Sequence, residues 1–221
     1  MCMARSPQQM SKSLLAWWAA NRREFPWRRT RDPYKILVSE VLLHRTKAEQ
    51  VVAVYNEFLV EFPSIEALFQ ASLDDVRKVV YPLGLHWRTR LLKDMAVWIT
   101  EKHGGKIPST RRELELLPGV SHYIASAVMC FAFGLPEPML DTNIVRILGR
   151  VSGTKVTDGS RRSKRFQELS ELILQKENSR ELNWALIDLG ALVCKPRKPN
   201  CGECPLISRC IERSKLYFCN V

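Results

Sequence analysis

Apolar side chains recur along this chain at the three-to-four-residue spacing of helices, and nowhere alternate long enough to mark an exposed strand. Residues 11–24 predict a first helix, with Leu14, Leu15, Trp17, Trp18 and Ala19 on its apolar face and Asn21-Arg-Arg-Glu closing it. Phe25 to Pro33 predicts an irregular link, because its prolines interrupt any helix. Tyr34 to Phe62 predicts two helices, and residues 64–70, 73–80 and 88–103 continue the pattern. Ser72-Leu-Asp-Asp supplies a cap followed by a first turn rich in carboxylates, and Gly104-Gly105 ends the 88–103 helix. Leu83 to Arg88 is a glycine-containing turn. Residues 111–117 and 124–133 predict helices on either side of a second turn. Leu135-Pro-Glu-Pro138 is a loop, and the periodic positions Ile144, Val145, Ile147 and Leu148 open another helix. Residues 161–175 and 181–193 predict the last long helices. The fold class is therefore all-α, with no internal repeat or low-complexity tract.

The second turn is Leu117-Pro-Gly-Val-Ser-His-Tyr123. Pro118 and Gly119 stop the preceding helix, and the first amides of the following one are left to bind an anion. An ordinary helical hairpin is the simpler alternative on spacing alone. Charge bears on that choice. Lys and Arg exceed Asp and Glu by a net +11, and the isoelectric point is about 9.5. Such an excess favours a polyanion, nucleic acid first and a membrane surface second, over a merely solvated basic face. With 221 residues, 46% of them hydrophobic, one or two domains with real cores fit. No apolar run reaches the length of a membrane span. Met1-Cys-Met-Ala-Arg-Ser-Pro is too short and polar for a signal peptide, so a cytoplasmic location, or a nuclear one in a cell with a nucleus, is expected.

Two carboxylates and a cysteine ladder carry the candidate chemistry. Glu40 sits inside the apolar run Ile36 to Leu43. It is either a helix-edge carboxylate or a proton donor held in a pocket of low dielectric. Asp141 precedes a helix and by itself reads as an N-cap. Cys194, Cys201, Cys204 and Cys210 follow the pattern C-x6-C-x2-C-x5-C. Four thiolates so spaced suit a metal centre. Zinc is chemically possible, but the asymmetric spacing favours a [4Fe–4S] cluster. Lys195, Arg197 and Lys198 make the loop between these ligands basic. Cys2, Cys130 and Cys219 are left over, Cys130 as a core residue.

Together, Ser39-Glu-Val-Leu-Leu-His-Arg-Thr46, Leu117-Pro-Gly-Val, Leu140-Asp-Thr-Asn-Ile-Val-Arg146 and the cysteine ladder resemble the helix-hairpin-helix (HhH-GPD) DNA glycosylases of the endonuclease III and MutY superfamily. The resemblance runs from about Trp17 to Cys210. It implies a two-domain fold: a six-helix barrel over 29–135, and a second domain of 1–28 with 136–221 that carries the [4Fe–4S] loop. It implies a partner, double-stranded DNA with a mismatched or deaminated base, bound by a monomer. Asp141 then stabilises the sugar cation as the base departs and helps deliver water. Position 123 holds a Schiff-base lysine in bifunctional members and a serine in MutY-type adenine glycosylases. Tyr123 is similar to the thymine/uracil mismatch glycosylases of MIG type, with Tyr123 and Glu40 facing the extruded base. The implied activity is monofunctional release of thymine and uracil opposite guanine, without strong strand cleavage.

A MutY-like adenine glycosylase is the alternative, and a non-catalytic DNA-binding module a further one. Gln-Gln-Thr is typical of MutY where this chain has His44-Arg45-Thr46, and eleven residues follow Cys210 where MutY carries a further domain. Arg45 and Thr46 would contact DNA, Arg45 reading the unpaired guanine. Leu85, His86, Trp87 and Trp184 are candidate wedges, or packing. Gly119 and Ser121 would meet phosphate. Ser121 replaces the family's second hairpin glycine. A positive φ there would cost ~1 kcal/mol in strain.

Overall fold

A computed structural model of the protein describes residues 7–174 and 176–213. Cys2, Cys219 and Gln175 lie outside them. Eleven α-helices and several short 3-10 turns account for the regular structure, and no strand occurs among the described residues. No described helix is long and apolar enough to cross a membrane. The chain divides into two compact units, one of Glu24–Gly134 and one of Met1–Arg23 with Leu135–Val221.

The Glu24–Gly134 unit contains α2 (Pro33–Leu43), α3 (Ala48–Glu61), α4 (Ile65–Gln70), α5 (Leu73–Val80), α6 (Trp87–His103), α7 (Arg111–Leu114) and α8 (His122–Phe131). Helix α2 packs against α8, and both are buried on nearly every face. Every α8 residue from Ile124 to Phe131 is buried. Such helices take their stability from enclosure rather than from an amphipathic face. Side-chain caps set the starts of the surrounding helices. The Asp32 carboxylate accepts the N–H groups of Tyr34 and Lys35, Ser64 accepts that of Ala67, and Ser72 that of Asp75. The Lys93 ammonium donates to the carbonyls of Leu68, Phe69 and Ala71 at 2.6–2.9 Å, fastening α6 to the end of α4. The segment predicted as helix over 111–117 is helical only to Leu114. A turn follows as Leu117 N–H reaches the Leu114 carbonyl.

The other unit contains α1 (Pro7–Asn21), α9 (Thr142–Ser152), α10 (Lys164–Ile173) and α11 (Ser179–Leu192). Helix α1 starts earlier than the apolar pattern indicates, because a proline at the first position presets the helical φ. Helix α10 is shorter than the predicted 161–175, and a 3-10 turn, Ser160–Arg162, precedes it. Asp188 on α11 has no exposed side-chain surface. It accepts the Trp18 indole N–H at 2.9 Å, the Arg23 backbone N–H at 3.2 Å and Arg23 Nε at 2.7 Å. One carboxylate thus fixes both the course of α1 and the turn out of it. Substituting Asp188 by Ala strands the Arg23 cation and the indole, so a loss of about 3 kcal/mol is expected by denaturant unfolding. A change under about 0.5 kcal/mol would mean that apolar packing alone holds α1.

Candidate active site and nucleic-acid interface

Asp141 stands at the N-terminus of α9. Its Oδ1 accepts the Ile144 N–H at 2.7 Å, and its Oδ2 accepts the Asn143 side-chain amide at 3.0 Å. The capping role read from the sequence is therefore real. Capping occupies one site on each oxygen and leaves the carboxylate further lone pairs. Burial pushes the Asp141 pKa above the ordinary 3.8. The Ile144 N–H, Asn143 and the Arg146 guanidinium pull the other way.

Sequence reasoning missed the support beneath this carboxylate. Arg146 Nη2 donates to Asn143 Oδ1 and to the Gly190 carbonyl, both at 2.8 Å, while Nε donates to the Cys194 carbonyl at 2.7 Å. Gly190 is required for this approach, since a Cβ there would stand 2.5 Å from the Asn143 Cβ. One turn further along α9, Arg150 donates to Cys194 Sγ at 3.4 Å and to the carbonyls of Lys195 and Pro196. The i, i+4 spacing of the two arginines was the available signal. Their partners at Gly190, Cys194, Lys195 and Pro196 lie more than forty residues away.

Cys194, Cys201, Cys204 and Cys210 line one cavity of about 170 Å³, walled by Ile147, Leu189, Val193 and Leu206. Among the described residues no three His, Cys, Asp or Glu side chains converge as tightly as a single metal ion needs. The thiols are spaced around the cavity instead. Burial, with the other three cysteines nearby, pushes the Cys204 thiol up to about 11. Four crowded sulfurs in an apolar wall fit a thiophilic centre, which would supply the missing positive charge. Lys195, Arg197 and Lys198 are exposed, as a basic loop facing solvent should be.

In the Glu24–Gly134 unit, Leu117 to Val120 forms a tight turn. Val120 N–H donates to the Leu117 carbonyl at 3.1 Å. Pro118 and Gly119 occupy its centre, Gly119 at φ +69 and packed so closely on Leu91 that a Cβ would clash at 2.3 Å. Ser121 differs from expectation. Its φ is −79, so the serine is unstrained, and its hydroxyl caps α8 by accepting the Ile124 N–H at 3.3 Å. The hydroxyl proton stays available to an anion. Tyr123 follows, half-buried, on α8. Glu40 is 7% exposed on α2, the helix packed on α8.

Arg45 is exposed, with φ 58, just after α2. Thr46 beside it accepts from Arg88. Leu85 has φ 51, His86 stacks on Tyr81 at 4.9 Å, and Trp87 is 45% exposed with its ring edge-on to His44. Trp184, on α11, is only 7% exposed and stacks on Trp18, with the Arg180 guanidinium 4.7 Å from its ring centre.

With this geometry in place, comparison with known proteins is informative. Residues 38–175 match the model of the HhH-GPD superfamily base excision DNA repair proteins. The chain belongs to this superfamily. Residues 194–210 match the iron–sulfur binding domain of endonuclease III, which assigns the cysteine cavity to an iron–sulfur cluster. Among relatives, a thymine/uracil-DNA glycosylase of Methanothermobacter thermautotrophicus is 37% identical over 90% of both chains. A thymine-DNA glycosylase of Aeropyrum pernix is 40% identical over 92% of this chain and 94% of its own. The human adenine DNA glycosylase is 34% identical over 92% of this chain, which spans 39% of that protein. The structure of a thermostable thymine-DNA glycosylase superposes with a TM-score of 0.87, at 35% identity and over 95% of this chain and 97% of that one. The two-domain HhH glycosylase fold is thereby established.

The Ser121 hydroxyl caps α8 from extended backbone. Substituting Ser121 by Ala is expected to cost about 1 kcal/mol in denaturant unfolding, and by Gly only a few tenths. A glycine variant more stable than the parent would show the serine to be strained.

Proposed function

We propose that the protein is a monofunctional DNA glycosylase that releases thymine and uracil opposite guanine, leaving an abasic site for base excision repair. The observation that carries this reading is the end-to-end similarity to thymine and uracil glycosylases together with Tyr123 in place of a lysine at the start of α8. No amine at that position is available for a Schiff base, so strand cleavage by β-elimination lacks its nucleophile.

In this reading the sugar–base bond breaks with its electron pair going to the base N1. Positive charge develops on the sugar, and the Asp141 carboxylate stabilises it, its ionised form favoured against burial by the Ile144 amide, Asn143 and Arg146. Water adds to the anomeric carbon and gives its proton to the same carboxylate. Glu40 and Tyr123 receive the everted base, the carboxyl by hydrogen bonding and the ring by stacking. Arg45 and Thr46 contact the duplex where the base has left, with Leu85, His86 and Trp87 as the wedge, and Gly119 and Ser121 meet phosphate. The four cysteines hold a [4Fe–4S] cluster, which when bound supplies a four-point clamp on the basic loop. A monomer with one lesion-bearing duplex is sufficient for these roles.

Duplexes carrying G·T, G·U and 8-oxoguanine·A, incubated with protein and then treated with alkali, test the assignment. Thymine and uracil strands should break only after alkali. Release of adenine alone would support the MutY-like alternative, and breakage without alkali would overturn the Tyr123 argument. Asp141→Asn should lower base release roughly 100-fold or more, with melting nearly unchanged because asparagine is an equally good cap. Equal loss of folding and activity would make Asp141 structural only.

The ionised carboxylate is the active form, so activity should fall as pH drops through a value above 3.8. Asn143→Ala removes a donor that favours ionisation, and should move this acid limb to higher pH. An unmoved limb would show that another group titrates.

A further inference from the structure

Arg88 is the bulkiest side chain among those with essentially no exposed surface, at 0%. No ion pair with a carboxylate accompanies it among the described residues, and burial lowers the pKa of its guanidinium. Nη2 donates to the His44 carbonyl and, at 2.5 Å, to Thr46 Oγ1, while Nε and Nη1 have no hydrogen-bond partner among the described residues. A buried cation with orphaned N–H groups is among the costliest arrangements a protein keeps. Two features compensate in part. His44 is the C-cap of α2, so the guanidinium sits at the negative end of that helix. The Trp87 ring centre is 5.9 Å from its Cζ.

Strain is concentrated around the same side chain. Three non-glycine residues among those described adopt positive φ, and two of them are Arg45 and Leu85. Arg45 lies between the two acceptors of Nη2. Leu85 is held by Arg88 as well, since the Arg88 backbone N–H donates to the Leu85 carbonyl at 3.0 Å. One residue therefore grips both strained positions, its side chain on one loop and its main chain on the other. Left-handed backbone at such residues persists only where surroundings over-determine it, and it collects at functional sites.

We propose that Arg88 is a positioning residue that holds Arg45 and Leu85 as a coupled pair on a single support, so that both are set for insertion into the duplex together. The proposal rests on the glycosylase reading above for what the pair does. Arg88 itself, being enclosed, touches neither DNA nor the reacting atoms.

The test uses the full chain and a G·U duplex with 2-aminopurine beside the uracil, whose fluorescence rises when the neighbouring base leaves the stack. Arg88→Met preserves volume and removes the unpaired charge, and such replacements commonly keep the fold. Both the 2-aminopurine rise and the single-turnover rate should drop about ten-fold in Arg88→Met and in Arg45→Ala, with the double variant no worse than the poorer single one. Arg88→Lys, which keeps a cation for the His44 carbonyl, should recover part of the loss. Arg88→Gln, which keeps a donor for the His44 carbonyl without the buried charge, should lower both readouts to an intermediate extent, which keeps the test decisive if Arg88→Met does not fold. Multiplicative losses in the double variant, or a fluorescence rise equal to wild type in Arg88→Met or Arg88→Gln, would overturn the proposal. Release of neither uracil nor thymine by wild type would sink the functional reading instead. The fluorescence comparison would still decide the role of Arg88.

Discussion

Much of the Leu135–Val221 segment depends on where one guanidinium goes. Arg146 points from α9 to the Asn143 amide, the Gly190 carbonyl and the Cys194 carbonyl at once. Through Asn143 it bears on the Asp141 carboxylate, and through Cys194 it fixes the first ligand of the cysteine ladder. The charge is not matched by a carboxylate contact but spread over main-chain oxygens and one amide. Gly190 lets α11 come close enough for this to happen, and a methyl group there would push α9 away. Asp141, through Asn143, and the iron–sulfur loop, through the Cys194 carbonyl, are thus braced by the same side chain.

The Glu24–Gly134 unit solves a different problem. Its hairpin is relaxed: glycine takes the one left-handed position and serine caps from ordinary extended backbone. Its strain lies instead at Arg45 and Leu85, next to a buried cation. A phosphate-binding turn benefits from amides preset at low energy. A loop that must enter a base stack benefits from being held away from its relaxed conformation, so that binding does not have to order it.

The helices and the cysteine ladder were legible because their signals are local. Periodicity, caps and proline or glycine stops act over a few residues, and four cysteines in seventeen positions need no fold to be noticed. Ser121 is undecided in the sequence because a glycine in the resembled hairpin pattern leaves a positive φ open; the backbone there is extended and welcomes a capping hydroxyl. Trp184 stays open between wedge and packing in the sequence because an aromatic side chain carries no mark of which it does; the ring it stacks on, Trp18, lies 166 residues earlier. Arg88, Asn143 and Arg146 were passed over for the same reason. Arg88 and Arg146 work through carbonyls and a hydroxyl far along the chain, and a carbonyl oxygen has no residue-type signature; Asn143 bonds its near neighbours Asp141 and Arg146, a pairing that needs the helix start to bring them together.

The central claim is electrostatic: the Asp141 carboxylate is arranged to favour a cationic sugar. Its most direct test is the affinity of two duplexes that differ only at the lesion, one with a cationic pyrrolidine in place of the sugar and one with a neutral tetrahydrofuran. Wild type should bind the cation roughly 100-fold more tightly than the neutral ring, as expected for a transition-state mimic, and Asp141→Asn should bind the two alike. Equal affinities in wild type, or a preference that survives in Asp141→Asn, would contradict the account.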